Sequence, residues 1–178
     1  MHLLGISGSL RKEATNRKLI REAARIAQAS PFIEADLHMP LYDGDLEESH
    51  GIPDPVRALS EQIAAADAVV ISTPEYNKGV SGVLKNALDW VSRTKPNPWD
   101  GKPVAILSAT AGRAGGERAQ FDLRLKMNPF NPRVIAGPEV LIASSSNAFD
   151  ENGHLKDEGS QELLGKLMDA LKAEIARG

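Results

Sequence analysis

Short runs of consecutive apolar residues alternate along this chain with stretches in which apolar positions recur at helical spacing. Leu3 to Ile6 predicts a first strand. From about Asn16 to Ala29, the residues Ile20, Ala23, Ala24 and Ala27 align on one helical face, and Pro31 ends the helix. Phe32 to Leu37 predicts a second strand, followed by a polar loop with Pro40, Gly44, Gly51, Pro53 and Pro55. Val56, Leu59, Ile63 and Ala66 mark a second helix, and Ala68-Val69-Val70-Ile71 is the clearest buried strand. Leu84, Ala87, Leu88 and Val91 share a third helical face, which Lys95-Pro96-Asn97-Pro98 terminates. Val104 to Leu107 is the next strand; Gly112, Gly115 and Gly116 then turn into a helix reaching about Lys126. Val134 to Ile135 and Val140 to Ile142 form a last strand region kinked at Gly137-Pro138. Leu164, Leu167, Met168, Leu171 and Ile175 align on a closing helix.

Strand–helix units in series, with no internal repeat and no linker, predict a single domain over residues 1–178. That length suits one hydrophobic core. The expected fold is α/β: a flavodoxin-like doubly wound five-stranded parallel sheet, order 2-1-3-4-5, with helices on both faces. The turn after the first strand, Gly8-Ser9-Leu10-Arg11, lacks the glycine fingerprint of a six-stranded dinucleotide fold.

Composition narrows the chemistry. A net charge of −3 gives no global pull toward nucleic acid or an anionic membrane, so any anion site is local. The chain has no cysteine, which removes disulfides, thiolate nucleophiles and cysteine-ligated metal clusters. Electron transfer would therefore need a bound organic cofactor. The four histidines are scattered, without helical metal-ligand spacing. No apolar run approaches the ~18 residues of a membrane helix. Met1 to Ile6 reads as a strand rather than a targeting leader, and the cytoplasm is the expected compartment.

In a parallel sheet every strand-to-helix turn emerges at one edge, and three turns here are rich in small or polar residues. The first carries Ser7, Ser9, Arg11, Lys12, Thr15 and Asn16 ahead of a helix. Ser9, Arg11, Thr15 and Asn16 with the helix N-terminus suit a terminal phosphate; an N-cap with a solvated basic turn is the plainer alternative. The second turn, Pro74-Glu75-Tyr76-Asn77, joins a rigid corner, an aromatic face and hydrogen-bonding groups, a mixture that a planar heterocycle needs. A surface tyrosine in a tight turn is the alternative. In the third, Ser108 to Gly116, small residues either let a ligand approach the backbone or only permit tight packing. Arg113 and Arg118 there face either a second anionic ligand or solvent.

Taken together these residues resemble the NADPH-dependent FMN reductase family, particularly its chromate- and quinone-reducing branch. The matches are Gly8-Ser9-Leu10-Arg11-Lys12 with Asn16, Pro40-Leu41-Tyr42-Asp43, Thr73-Pro74-Glu75-Tyr76-Asn77, and Gly82-Val83-Leu84-Lys85-Asn86-Ala87-Leu88-Asp89-Trp90. Less specific matches are Gly101-Lys102-Pro103, Ser108 and Gly115-Gly116. The chain departs from the family at Glu13-Ala14, where Gly-Ser is usual, and at Ser81, where a proline is usual and a helix cap becomes possible.

The resemblance implies noncovalent FMN, with NADPH or NADH as co-substrate. Ser9, Arg11, Thr15 and Asn16 would hold its phosphate. Pro74, Glu75, Tyr76 and Asn77 would border the isoalloxazine, with Ser108 and Thr110 approaching from the neighbouring turn. Electrons would pass from NAD(P)H through FMN to a small-molecule acceptor: a quinone, an azo compound, a metal oxyanion such as chromate, or free flavin. The flavin carries the chemistry, so no protein residue is assigned as catalytic. A homodimer or homotetramer is implied, with no nucleic-acid or membrane partner. The alternatives are a nonenzymatic flavodoxin-like electron carrier or flavin-binding module, a protein that has lost flavin and serves only as a binding module, and a nucleotide-binding hydrolase or transferase using Glu75 as a carboxylate catalyst.

Overall fold

Consecutive buried apolar residues make strands that need cover on both faces, and the sheet is assembled from such runs. The computed structural model describes residues 1–178. In it β1 (Leu3–Ser7), β3 (Ala68–Thr73) and β4 (Pro103–Ala109) are buried along their whole length. They lie parallel and adjacent, with β2 (Phe32–Glu34) outside β1 and β5 (Arg133–Val134) outside β4. The order β2-β1-β3-β4-β5 is the one the sequence predicts. The last strand region is divided: β5 pairs with the start of β4, and β6 (Val140–Ile142) with its end. The Gly137-Pro138 interruption falls between them.

Successive strand residues point to opposite faces, so Leu3 and Leu4 enter different cores. On Leu3's side, α1 (Thr15–Ala27) and α6 (Glu158–Ala176) contribute Leu19, Ile20, Leu164, Leu167 and Leu171. On Leu4's side, α3 (Asp54–Ala65), α4 (Gly82–Val91) and α5 (Glu117–Met127) contribute Leu59, Ile63, Leu84, Leu88 and Leu123. Each such side chain, fully buried, stabilises the fold by about 1.5–3 kcal/mol.

Two elements differ from expectation. A helix, α2 (Gly44–His50), occupies part of the polar loop and buries no residue. Polar contacts hold it: the Asp43 carboxylate caps it by accepting from Asp45 N at 2.9 Å. Glu47 accepts from Tyr42 Oη at 3.0 Å and from Arg93 Nε at 2.9 Å. Strand β2 ends at Glu34 rather than Leu37. The Glu34 carboxylate pairs with Arg17 and Arg21 of α1, and Asp36 then turns the chain by accepting from His38 N at 2.9 Å.

Candidate functional site

The first turn leads into a helix whose N-terminus is open. Ala14 occupies the cap position of α1, so no side chain caps it, and no acidic residue lies in its first turn. Free amides and the positive end of the helix dipole are thus left for an anion. The Arg11 guanidinium lines the adjacent cavity. Thr15 Oγ1 lies 3.1 Å from Ser145 Oγ. Asn16 is buried, and its side chain makes three hydrogen bonds inside the protein. Its Nδ2 donates to Ala109 O at 2.9 Å, while Oδ1 accepts from Ala109 N at 3.0 Å and Ser72 Oγ at 2.7 Å. One Nδ2 hydrogen and the main-chain amide are left for a phosphate.

The second turn is a tight hairpin. Tyr76 and Gly79 exchange two main-chain hydrogen bonds of 3.1 Å, and the residues between them, Asn77 and Lys78, have φ of 52° and 66°. Two central residues with positive φ make a type I′ turn, for which asparagine is a preferred first residue. Carboxylates tie this hairpin to α5 in both directions. Glu75 Oε2 accepts from Ala119 N at 3.3 Å, and Asp122 Oδ2 accepts from Val80 N at 2.9 Å. Burial opposes the charge on Asp122, but hydrogen bonds from Lys126 and the Val80 amide outweigh it and hold the carboxyl below its ordinary pKa. Glu75 is thereby joined to α5 while it lines the cavity. Ser81 caps α4, accepting from Leu84 N at 3.3 Å, and donates to Gly8 O at 2.6 Å. The residue standing in place of the usual proline thus joins the first turn to the second.

In the third turn Gly115 and Gly116 serve packing. A Cβ on Gly115 would lie 2.7 Å from the Leu141 backbone, and one on Gly116 would lie 2.7 Å from Ser108 Cβ. Ser108 is buried beneath them, donating to Gly115 O at 2.6 Å and accepting from Gln120 Nε2 at 2.9 Å.

The three turns enclose one cavity of about 740 Å³. Ser9, Arg11, Thr15, Asn16, Pro74, Glu75, Tyr76 and Thr110 line it; Asn77 and Ser108 do not. Asn77 sits at the hairpin tip, and Ser108 supports the third turn from behind. Sequence reasoning missed Ser145 and Ser146, which also line the cavity. The available signal was the Ser144-Ser145-Ser146 run just after the last strand, at the same sheet edge.

The architecture places the molecule among flavodoxin-like α/β proteins, whose ligands sit at the carboxyl ends of the strands. Comparison with known proteins narrows this class. The family described as NADPH-dependent FMN reductase matches residues 1–147. An NAD(P)H-dependent FMN reductase of Pseudomonas aeruginosa is 44% identical over 177 residues, covering 98% of this chain and 95% of that protein. A quinone reductase of Escherichia coli K12 is 40% identical over 181 residues, covering 99% and 96%. Among solved structures, FerB, a flavoenzyme NAD(P)H:(acceptor) oxidoreductase from Paracoccus denitrificans, is similar with a TM-score of 0.88 and 31% identity, covering 99% of this chain and 97% of that one. The chain belongs to the NADPH-dependent FMN reductase family, and is an oxidoreductase that works with FMN and NAD(P)H.

The donor set fits that cofactor. A volume of about 740 Å³ lies within the range of small-molecule sites. Arg11, Ser9 and the uncapped α1 terminus match a phosphate, and Pro74 with Tyr76 gives a flat surface beside it. No helix is long and apolar enough to cross a membrane.

Proposed function

We propose that this chain is an NAD(P)H-dependent quinone reductase, one FMN-binding domain over residues 1–178. The observation that carries the reading is a single cavity in which Arg11 and the uncapped α1 terminus lie on one turn and Tyr76 on another. Ser9, Arg11, Thr15 and the first-turn amides of α1 hold the phosphate. Pro74, Glu75, Tyr76 and Thr110 border the isoalloxazine, while Asn77 and Ser108 fix the turns that carry them. FMN held by these residues would supply the hydride and electron transfer between NAD(P)H and the acceptor, while the chain binds and orients it. Tyr76 is 54% exposed, so the ring side of the cavity is open to flat acceptors. Quinones are the first class; azo compounds, chromate and free flavin are further acceptors for the same open face. The protein acts in the cytoplasm, where NAD(P)H is supplied, as a homodimer or homotetramer built through its exposed apolar side chains.

The test is an absorbance spectrum of the purified protein, FMN release on denaturation, and NAD(P)H oxidation with a quinone. The expected result is a yellow protein that releases FMN and oxidises NAD(P)H only when an acceptor is present. Flavin-loaded protein inactive with both donors would identify an electron carrier instead. Protein that takes up no FMN on titration would be a binding module.

A further inference from the structure

The cavity holds more positive charge than one flavin phosphate uses. Arg11, Lys18, Arg113 and Arg118 line it, against Glu13 and Glu75. Arg11 and the α1 terminus belong to the first turn and suffice for a phosphate. Arg113 and Arg118 belong elsewhere: one to the turn between β4 and α5, the other to the first turn of α5. Arg118 Nη1 stands 4.0 Å from Glu75 Oε1, which locates Arg118 at the Glu75-Tyr76 end of the cavity, while Arg113 lines the cavity from the turn before it. In the reading above that end borders the isoalloxazine, which has no phosphate for Arg118 to bind.

Neither guanidinium is spent inside the protein. Arg113 makes no ion pair, and the Arg118 contact is at the outer limit of one, with the Arg118 side chain exposed. Glu75 directs its other oxygen to Ala119 N. The backbone that carries Arg113 is nevertheless fixed. Gly112 O accepts from Ser144 N at 3.3 Å, Ser108 Oγ donates to Gly115 O at 2.6 Å, and Gly115 is wedged against Leu141. None of these restraints uses the arginine side chain. A preordered turn presenting a free guanidinium lowers the ordering cost of binding an anion.

The hydride donor must reach the isoalloxazine, and it is anionic. We infer that Arg113 and Arg118 form a phosphate subsite for the nicotinamide dinucleotide, an inference that rests on the reductase reading above. The planar fork of arginine suits phosphate oxygens in bidentate geometry. The ligand group is either the pyrophosphate, common to NADH and NADPH, or the 2′-phosphate of NADPH alone.

The experiment uses FMN-loaded Arg113→Ala, Arg118→Ala, the double variant and Arg113→Lys. Steady-state kinetics with NADPH and NADH are combined with calorimetric titration of ADP-ribose and of 2′,5′-ADP. The double variant is expected to raise KM for the donor about tenfold or more, with kcat and FMN affinity changed by less than about twofold, and Arg113→Lys to restore part of the loss. A rise for both donors with weaker ADP-ribose binding assigns the pyrophosphate. A rise confined to NADPH with weaker 2′,5′-ADP binding assigns the 2′-phosphate. Unchanged KM for both donors and unchanged binding of both probes overturns this inference alone. Wild-type protein that takes up no FMN removes the reductase reading, and this inference with it.

Discussion

Asn16 and Ala109 are joined by a reciprocal pair of hydrogen bonds, 2.9 Å from Nδ2 to the Ala109 carbonyl and 3.0 Å from the Ala109 amide to Oδ1. The β3–β4 register ends at Thr73–Ser108, one residue short of Ala109. The side chain from α1 therefore continues the ladder where β3 stops, and Ser72 Oγ adds a third bond. Asn16→Ala would leave the Ala109 main chain and the buried Ser72 hydroxyl without partners. Each of these three groups costs about 1–3 kcal/mol, so a loss of at least about 3 kcal/mol is expected. Urea unfolding checks it, as a lower midpoint at an unchanged slope. Asn16→Asp should not rescue the loss, because a carboxylate has no N–H for the Ala109 carbonyl.

Arg11 makes no structural contact that its removal would break, so Arg11→Ala should fold normally and bind FMN more weakly. Hydrogen bonds to charged groups contribute about 1.5–3 kcal/mol, which is about a 10- to 100-fold rise in Kd. Glu13 lines the same cavity without an ion pair of its own. Its carboxylate opposes the phosphate, so Glu13→Ser should tighten FMN, by less than about tenfold because the side chain is solvated. FMN titration by fluorescence quenching measures both. Unchanged affinity in Arg11→Ala would remove the phosphate assignment.

How far the sequence reaches is visible in particular residues. The sheet order was legible because Val69, Val70 and Ile71 or Ala105, Ile106 and Leu107 are unbroken apolar runs, and burial on both faces requires such runs. Helix α2 was not legible because it has no apolar face. Its evidence was Asp43 as cap, with Asp45 and Glu47 in the first turn, a local signal easily read as loop. The chemistry of the site was legible by residue type, but the direction of each side chain was not. Asn16 reads from sequence only as a phosphate ligand; its structural partners Ser72 and Ala109 lie 56 and 93 residues away in sequence. Asn77 likewise reads as a ligand-binding group, and only the structure shows it at a hairpin tip with positive φ, outside the residues that line the cavity. Ser145 belonged to a fourth turn at the same edge, outside the three that attracted attention.

The third turn offers a paired test of glycine function. Gly116 has φ of 96°, and its Cβ would stand 2.7 Å from Ser108 Cβ. Gly116→Ala should therefore destabilise the fold by about 1–3 kcal/mol through backbone strain and overpacking. Gly112 meets only Thr110 Oγ1, at 4.0 Å, so Gly112→Ala should be nearly silent in thermal unfolding. Equal effects would mean that packing is not what these glycines provide.

Acid should loosen the Tyr76 hairpin before it unfolds the protein. The folded pKa of Asp122 lies below its ordinary value of 3.8. A depressed carboxyl contributes stability that is present above the unfolded pKa and lost as pH falls through the folded one. The Val80 amide, which donates to Asp122, should keep its hydrogen-exchange protection down to about that ordinary value and lose it below. Asp122→Ala should abolish this protection at every pH while leaving the amides of β3 unaffected. Protection that persists in the variant would show that the hairpin is held by its own turn alone.

The oligomer should depend on apolar groups that the fold holds outward. Asn86 Nδ2 donates to Pro40 O at 2.9 Å, and Asn86 Oδ1 accepts from Tyr42 N at 2.8 Å, so one side chain clamps both neighbours of Leu41. Trp90 Nε1 adds a bond to the same Pro40 carbonyl at 2.8 Å. Leu41 is left 79% exposed on a segment with little freedom to turn it inward. On α5, Phe121 and Leu125 stand one turn apart, 56% and 67% exposed, on a face that covers nothing within the chain. Clustered exposed apolar side chains of this kind mark association surfaces. Light scattering should give a homodimer or homotetramer for the wild type and a smaller mass for Phe121→Glu/Leu125→Glu or for Leu41→Glu. Loss of mass in one variant alone assigns a single interface, and stepwise loss assigns two. A monomeric wild type, or variants that keep the wild-type mass, would show that these side chains do not build the assembly.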